Sequence, residues 1–502
     1  MHNPPVLLDG GALDRHQVVA VARHGAPVRL TDNARAGVLG ARAHIDTLAH
    51  ASTPTYGVST GFGALAVRHI PPERRAALQR SLVRSHAAGA GQEVEREVIR
   101  ALMLLRLRTL ATGRTGVHAS TVDTLAGLLN AGIVPVVPEY GSLGCSGDLA
   151  PLSAVALALI GEGDVDDATG TRMPAADAMA AAGIKPVELA EKEGLALING
   201  TDGMLGMLVL AAADIAHLLD VADLTAAMSV EALLATDRVF AADLQALRPH
   251  PGQATSAARM TELLAGSEIV ASHRTPEDTR VQDAYSLRCS PQVHGAARDT
   301  LAHAELVADR ELAAAIDNPV VLADGRVESN GNFHGAPLAY VLDFLAICVA
   351  DVASIAERRT DRMLDVTRSH GLPAFLAHDP GVDSGHMIAH YTQASVVSEL
   401  KRLAVPASVD SIPSSAMQED HVSMGWSAAR KLRRAVNGLT TVLAVELLTA
   451  ARALDFRAPL RPAPATAAVL ATLRAHVEGP GPDRHLAPEI AAAEQLIRNG
   501  EV

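Results

Sequence analysis

Apolar positions along the chain recur mostly at three- and four-residue spacing, the period of helices with one buried face. Thr31-Asp32-Asn33 stands as a cap before AGVLGARAHIDTLAH, and Pro71-Pro72 lead ERRAALQRSLVRSHAAG into a second helix. REVIRALMLLRLRTLA and TVDTLAGLLNAG continue the pattern. Thr201-Asp202 cap a long apolar helix that the spacing carries to about Asp220. Further long helices are predicted over 292–316, 335–369, 386–404 and 423–454. Strand signals are few. VVLADGRVES, turning at Asp324-Gly325, and DVDDATGTRM each read as a short hairpin. The pattern predicts a mainly α protein with a few short strands. It divides into a loop-rich N-terminal lobe over 1–200 and a long-helix bundle with a C-terminal helical region over 201–502.

Composition and local sequence adjust this picture. The chain of 502 residues is 48% hydrophobic but only 2% aromatic, so Ala, Leu and Val must build closely packed helices. Its most apolar runs, GMLGMLVLAAADIAHLL and LDFLAICVADVASI, carry Asp and are short for a membrane span; they read as buried helices, and no membrane partner is expected. The net charge of −13 and the absence of a Lys/Arg run argue against nucleic acid, which needs clustered positive charge. Three cysteines, Cys145, Cys289 and Cys348, are too few for a disulfide framework and fit a reducing cytoplasm. MHNPPVLLDGG has no basic start before an apolar run, so no signal peptide is expected.

The chemistry gathers in GSLGCSGDLAP, residues 141–151. Asp148 before Leu-Ala-Pro is a helix start, with Asp148 as cap and Pro151 in the first turn. Cys145-Ser146-Gly147 therefore sits at a helix N-terminus, which carries roughly half a positive charge. A tight turn feeding a helix is one reading. A serine nucleophile elbow wants G-x-S-x-G, and a phosphate loop wants a Lys after its glycines; neither pattern is met. Internal cyclisation is the remaining one. The Gly147 amide nitrogen attacks the Cys145 carbonyl, and Ser146 loses water to leave an exocyclic methylene. Glycine suits the attack because it adds no side-chain clash.

GSLGCSGDLAPLS resembles the signature of the ammonia-lyase family whose members make a methylidene-imidazolone prosthetic group, and the likeness runs from YGVSTGFG to SSAMQEDHVSMG. The usual triad is Ala-Ser-Gly; here Cys145 stands first, but that residue gives only its backbone to the ring. The resemblance thus implies a prosthetic group formed by Cys145, Ser146 and Gly147 themselves, with no external cofactor and no metal. It also implies a homotetramer whose active sites are each built by three chains.

Site residues follow by resemblance. Tyr56, in PTYGVSTGFG, is the candidate base for the β-proton; a phenol needs a positive field for that, from helix N-termini or Arg288. Gln282, Tyr285 and Arg288 are spaced by three, so one helical turn aligns them. Arg288 would hold the substrate carboxylate by a two-pronged hydrogen bond, with Tyr285 and Gln282 placing the amine and the ring loop. Asn199 in ALINGTDG orients prosthetic group and substrate, and Asn318 and Phe333 match further active-site positions. Tyr56, Tyr285 and Glu419 are the catalytic candidates.

His86 and Glu419 bear on the substrate. His86 in RSHAAG lies where the substrate ring is faced, and Glu419 in MQEDHVSM can accept a hydrogen bond from an imidazole N–H. Against a bare phenyl ring that carboxylate would sit buried and unpaired. Together they favour L-histidine, with urocanate and ammonia as products. The alternatives are a tyrosine ammonia-lyase or an aromatic aminomutase of the same family and, outside it, a helical scaffold without the chemistry. His386 and His390 have helical metal-pair spacing without the Glu of H-E-x-x-H, and Glu419-Asp420-His421 is discounted as a metal cluster because neighbours on a helix point apart.

Overall fold

The computed structural model describes residues 4–50, 55–276, 278 and 280–502; the start of MHNPPVLLDGG and the residues just before Thr55 lie outside them. The described residues are mainly helical, with short strands, as the spacing predicts. It divides into two compact units. The first joins Met1–Leu210, Glu305–Leu342 and Pro406–Arg430; the second joins Ala211–Ala304, Asp343–Val405 and Lys431–Val502. The first unit thus extends past the boundary expected at residue 200 and recovers two later segments, which carry Asn318, Phe333 and Glu419.

In the first unit, helices Asp32–Ala49, Pro72–His86, Arg96–Ala111, Ala119–Asn130 and Leu149–Leu159 form where the apolar spacing predicts helix. Thr31 caps the first of them by accepting from the Ala34 amide at 3.3 Å. Arg96–Ala111 is buried from Val98 to its end, arginines included, so it forms the unit's centre. Both predicted hairpins are present, Asp164–Asp166 with Arg172–Pro174 and Val320–Val321 with Val327–Glu328. A parallel pair, Val6–Leu8 beside Val28–Leu30, lacked a sequence signal because each strand has only three residues.

The second unit holds helices Pro251–Leu263, Met387–Leu403, Pro464–Arg474 and Ala487–Asn499. It also holds the larger parts of Asp202–Ala232, Ala336–Leu364 and Gly425–Asp455, whose opening residues belong to the first unit. Asp202–Ala232 runs well past Asp220; just beyond that point the buried Asp223 carboxylate is satisfied by His294 at 2.7 Å and Arg298 at 2.7 Å, so the helix carries the charge inside the fold. Ala336–Leu364 stops short of 369, where the Asp365 carboxylate takes the Thr367 amide at 2.8 Å and its hydroxyl at 2.7 Å, a local turn that competes with helix. With 31 and 29 residues, Asp202–Ala232 and Ala336–Leu364 are long and apolar enough to cross a membrane, which corrects the reading of their apolar runs as too short; their most apolar windows are 72% and 61% buried in this fold.

Candidate active site

The GSLGCSGDLAP loop is shaped by its glycines and pinned from several sides. Gly144 and Gly147 have φ of +67° and +78°, left-handed values that favour glycine. A Cβ on Gly147 would run into the Gly200 carbonyl, with which this stretch makes a parallel bridge. The Asp148 amide donates to Gly200 O at 2.7 Å. On the other side, the Gly144 carbonyl accepts from Ser423 Oγ at 2.7 Å and from the Gly335 amide at 3.2 Å, and Leu143 O accepts from the Met424 amide at 2.8 Å.

Asp148 stands at the N-cap of Leu149–Leu159, but its side chain does not cap that helix. Its Oδ2 instead takes the amides of Gly203 and Met204, each at 2.9 Å, and so caps the helix that begins at Asp202. Thr201, expected in that role, donates to Glu311 at 2.6 Å. Ser142 Oγ donates to Asp148 Oδ1 at 3.0 Å. Full burial pushes the Asp148 carboxyl up to about 7 despite these donors.

A cavity of about 1150 Å³ opens over the loop. Tyr56, His86, Cys145, Ser146, Asn199, Asn318, Phe333 and Glu419 all line it, bringing together positions 56 to 419. His86 ends helix Pro72–His86 and Asn199 is the C-cap of Glu193–Ile198. Asn199 Nδ2 donates to Asn318 O at 3.1 Å, and Asn318 Oδ1 accepts from Ser329 Oγ at 3.0 Å and the Asn330 amide at 3.1 Å. Buried Arg106 fixes this corner, donating to Asn199 O at 2.7 Å, Ala196 O at 3.0 Å and Asp202 at 3.1 Å. His86 Nδ1 lies 3.0 Å from the Leu82 carbonyl and so carries the proton toward it. Burial lowers the ring's pKa, keeping the imidazole neutral with Nε2 as an acceptor.

Glu419 sits in a loop, not on the helix assumed in setting aside Glu419-Asp420-His421. Ser414 and Glu419 bridge backbone to backbone, and Ser415, Ala416 and Met417 between them all have left-handed φ, from +51° to +67°. Such conformations in non-glycine residues cost roughly 1–2 kcal/mol each and concentrate at functional sites. Glu419 Oε2 accepts from Cys145 Sγ at 3.1 Å and Ser414 Oγ at 3.1 Å, while Oε1 accepts from Ser146 Oγ at 3.4 Å. Burial, then the Glu419 hydrogen bond and charge, push the Cys145 thiol up to about 12, so it stays protonated as a donor.

Burial and the Glu419 charge raise the Tyr56 pKa, only partly offset by the Gly63 amide donating to its hydroxyl at 3.3 Å. Gln282, Tyr285 and Arg288 belong to the second unit, while the residues that line the cavity belong to the first. Only Tyr285–Arg288 forms a helical turn, with the Arg288 guanidinium 4.6 Å over the Tyr285 ring and its Nε donating to Asp283 O at 3.0 Å. His386 and His390 are spoken for separately, the first 3.1 Å from Thr449 Oγ1 and the second 2.6 Å from Glu357. Sequence reasoning missed Ser414, although it lies inside the SSAMQEDHVSMG motif. It also missed the His334 and His421 rings, stacked 5.7 Å apart on the cavity wall.

The residues present suit a ring made from the chain: a glycine in left-handed geometry with no room for a Cβ, and a serine hydroxyl already beside a carboxylate. A family model for aromatic amino acid lyases matches residues 13–475. The histidine ammonia-lyase of Streptomyces coelicolor is 66% identical, with 99% of this chain and 97% of that protein covered. Two solved structures, each 38% identical and matched over 99% of this chain, share the fold. One is a tyrosine aminomutase from Streptomyces globisporus, with TM-score 0.94 and 97% of its chain covered. The other is the histidine ammonia-lyase of Trypanosoma cruzi, with TM-score 0.91 and 94% covered. On the glycine-shaped triad and on these matches, the chain belongs to the aromatic amino acid lyase family.

Proposed function

We propose that this enzyme is a carbon–nitrogen lyase that eliminates ammonia from L-histidine to give trans-urocanate, the opening step of histidine breakdown. The observation that carries the substrate choice is the Glu419 carboxylate set in the cavity wall beside Cys145 and Ser146. The 66% identity to a histidine ammonia-lyase supports the same reading.

When Cys145, Ser146 and Gly147 have cyclised, the methylidene-imidazolone they form supplies an electrophilic methylidene carbon to the substrate amine. The chain's own side chains do the rest. Glu419 accepts the imidazole N–H, and His86 Nε2 offers a second acceptor. The Asn199 and Asn318 amides hold the polar end of the substrate, while Phe333 and Leu82 keep water from its ring. Tyr56 takes the β-proton once a cation lowers its pKa. Arg288, with Tyr285 and Gln282, would come from another copy of the chain, in a homotetramer with shared sites. Three free cysteines support a cytoplasmic location.

Incubating the purified protein separately with L-histidine and L-tyrosine tests this. Urocanate absorbance should appear with histidine alone and vanish in Ser146→Ala, whose intact mass should lack the loss of two waters. Turnover of tyrosine in place of histidine would assign the chain to the aminomutase or tyrosine-lyase reading. Sedimentation at monomer mass would remove the shared site.

A further inference from the structure

The two oxygens of Glu419 are held differently. Oε2 takes the Cys145 thiol and the Ser414 hydroxyl, each at 3.1 Å. Oε1 takes only the Ser146 hydroxyl among these side chains, at 3.4 Å. That hydroxyl is the group Ser146 gives up as water when the ring forms. Cys145 contributes only backbone to the ring and keeps its thiol. Burial holds that thiol in the protonated, donating form.

We propose that Cys145 is a positioning residue for substrate recognition: with Ser414 it clamps Glu419 Oε2, so that loss of the Ser146 hydroxyl leaves Oε1 as a fixed, unoccupied acceptor for the imidazole N–H. Maturation then does two things at once. It makes the electrophile, and it clears the acceptor that reads the substrate ring. A carboxylate pinned on one oxygen loses little freedom when a ligand takes the other, which favours binding. The inference rests on histidine as substrate, and it explains why a thiol serves where an alanine would suffice for ring formation.

The test uses Cys145→Ala and Cys145→Ser in the full-length protein, with intact mass confirming ring formation. Calorimetry measures binding of 3-(imidazol-4-yl)propanoate and 3-phenylpropanoate, which lack the amine. Cys145→Ala should weaken the imidazole probe about fivefold, the size of one net hydrogen bond. It should shift the phenyl probe by less than twofold. KM for histidine should rise in parallel with the imidazole Kd and by more than kcat falls, and Cys145→Ser should restore both Kd and KM. The same comparison in a Ser146→Ala background covers a Cys145 variant that fails to mature. Equal weakening of both probes, or an unchanged imidazole Kd, overturns the proposal. Wild-type protein that makes no urocanate would instead sink the histidine assignment, whatever the variants do.

Discussion

Both units bury charge, but the triad loop and the helix pairs of the second unit use it differently. Around the loop, Asp148 ends on the Gly203 and Met204 amides and the Ser142 hydroxyl, and Arg106 ends on the Ala196 and Asn199 carbonyls as well as on Asp202. In the second, Glu446 binds Arg359, Thr225 and Ser229, and Asp223 binds His294 and Arg298, side chain to side chain between helices. A helix satisfies its own backbone, so charge placed on it fixes which helix faces which. A glycine-rich loop has no such ladder, and its buried amides and carbonyls must be met from outside. Buried charge beside the triad loop therefore maintains a backbone shape on which chemistry depends; at Glu446 and Asp223 in the second unit it maintains packing.

The largest expected effect lies at Gly147. Gly147→Ala puts a Cβ against the Gly200 carbonyl and a side chain at φ +78°. The loop must open, and the amide nitrogen loses its approach to Cys145. We expect no loss of water by intact mass and at least about a thousandfold fall in histidine turnover, the scale seen when a catalytic group is removed outright. A dehydrated, active Gly147→Ala protein would show that the loop's shape is not what the first unit's buried charge protects.

How much of this was readable from residues alone follows the same division. Helix starts were legible because caps are local: Thr31 reaches the Ala34 amide three positions on. The glycine-shaped loop was legible because its signal lies in consecutive residues, with Gly144 and Gly147 both left-handed. Asp148 was misread as a cap for its own helix because its amide partners lie 55 and 56 positions away. The end placed at Asp220 failed for the same reason, since His294 and Arg298 lie far along the chain from Asp223. The Ser415–Met417 turn left no trace, because left-handed φ there is imposed on residues that are not glycine. Spacing aligned Tyr285 with Arg288 correctly, but spacing carries no information about which cavity a turn serves.

A second, smaller effect separates the units by pH. Burial raises the Asp148 carboxyl to about 7. The folded chain therefore holds a proton that the unfolded chain releases above its ordinary value near 4. The sign follows: the contribution is complete below about pH 4 and is lost as pH rises toward 7, on the order of 4 kcal/mol in all. Asp148→Asn keeps an oxygen for the Gly203 and Met204 amides but cannot ionise. Urea unfolding at equal protein concentration should show wild type losing stability against this variant between pH 4 and pH 7. A constant difference across that range would mean that the carboxyl is already ionised in the fold.

The smallest effect tests the second unit by itself. Ser229 Oγ donates to Glu446 Oε1 at 2.9 Å, while Thr225 and the Arg359 guanidinium continue to hold the carboxylate. Ser229→Ala removes one hydrogen bond to a buried charge and leaves the ion pair in place, a cost of about 2 kcal/mol. That is less than removing either ion-pair partner, which would strand a buried charge. The urea midpoint should fall accordingly, with ring formation complete by mass and KM for histidine within twofold of wild type. If Ser229→Ala instead impaired maturation, charge pairing between helices would also be shaping the loop, and the contrast between the two units would collapse into a single network.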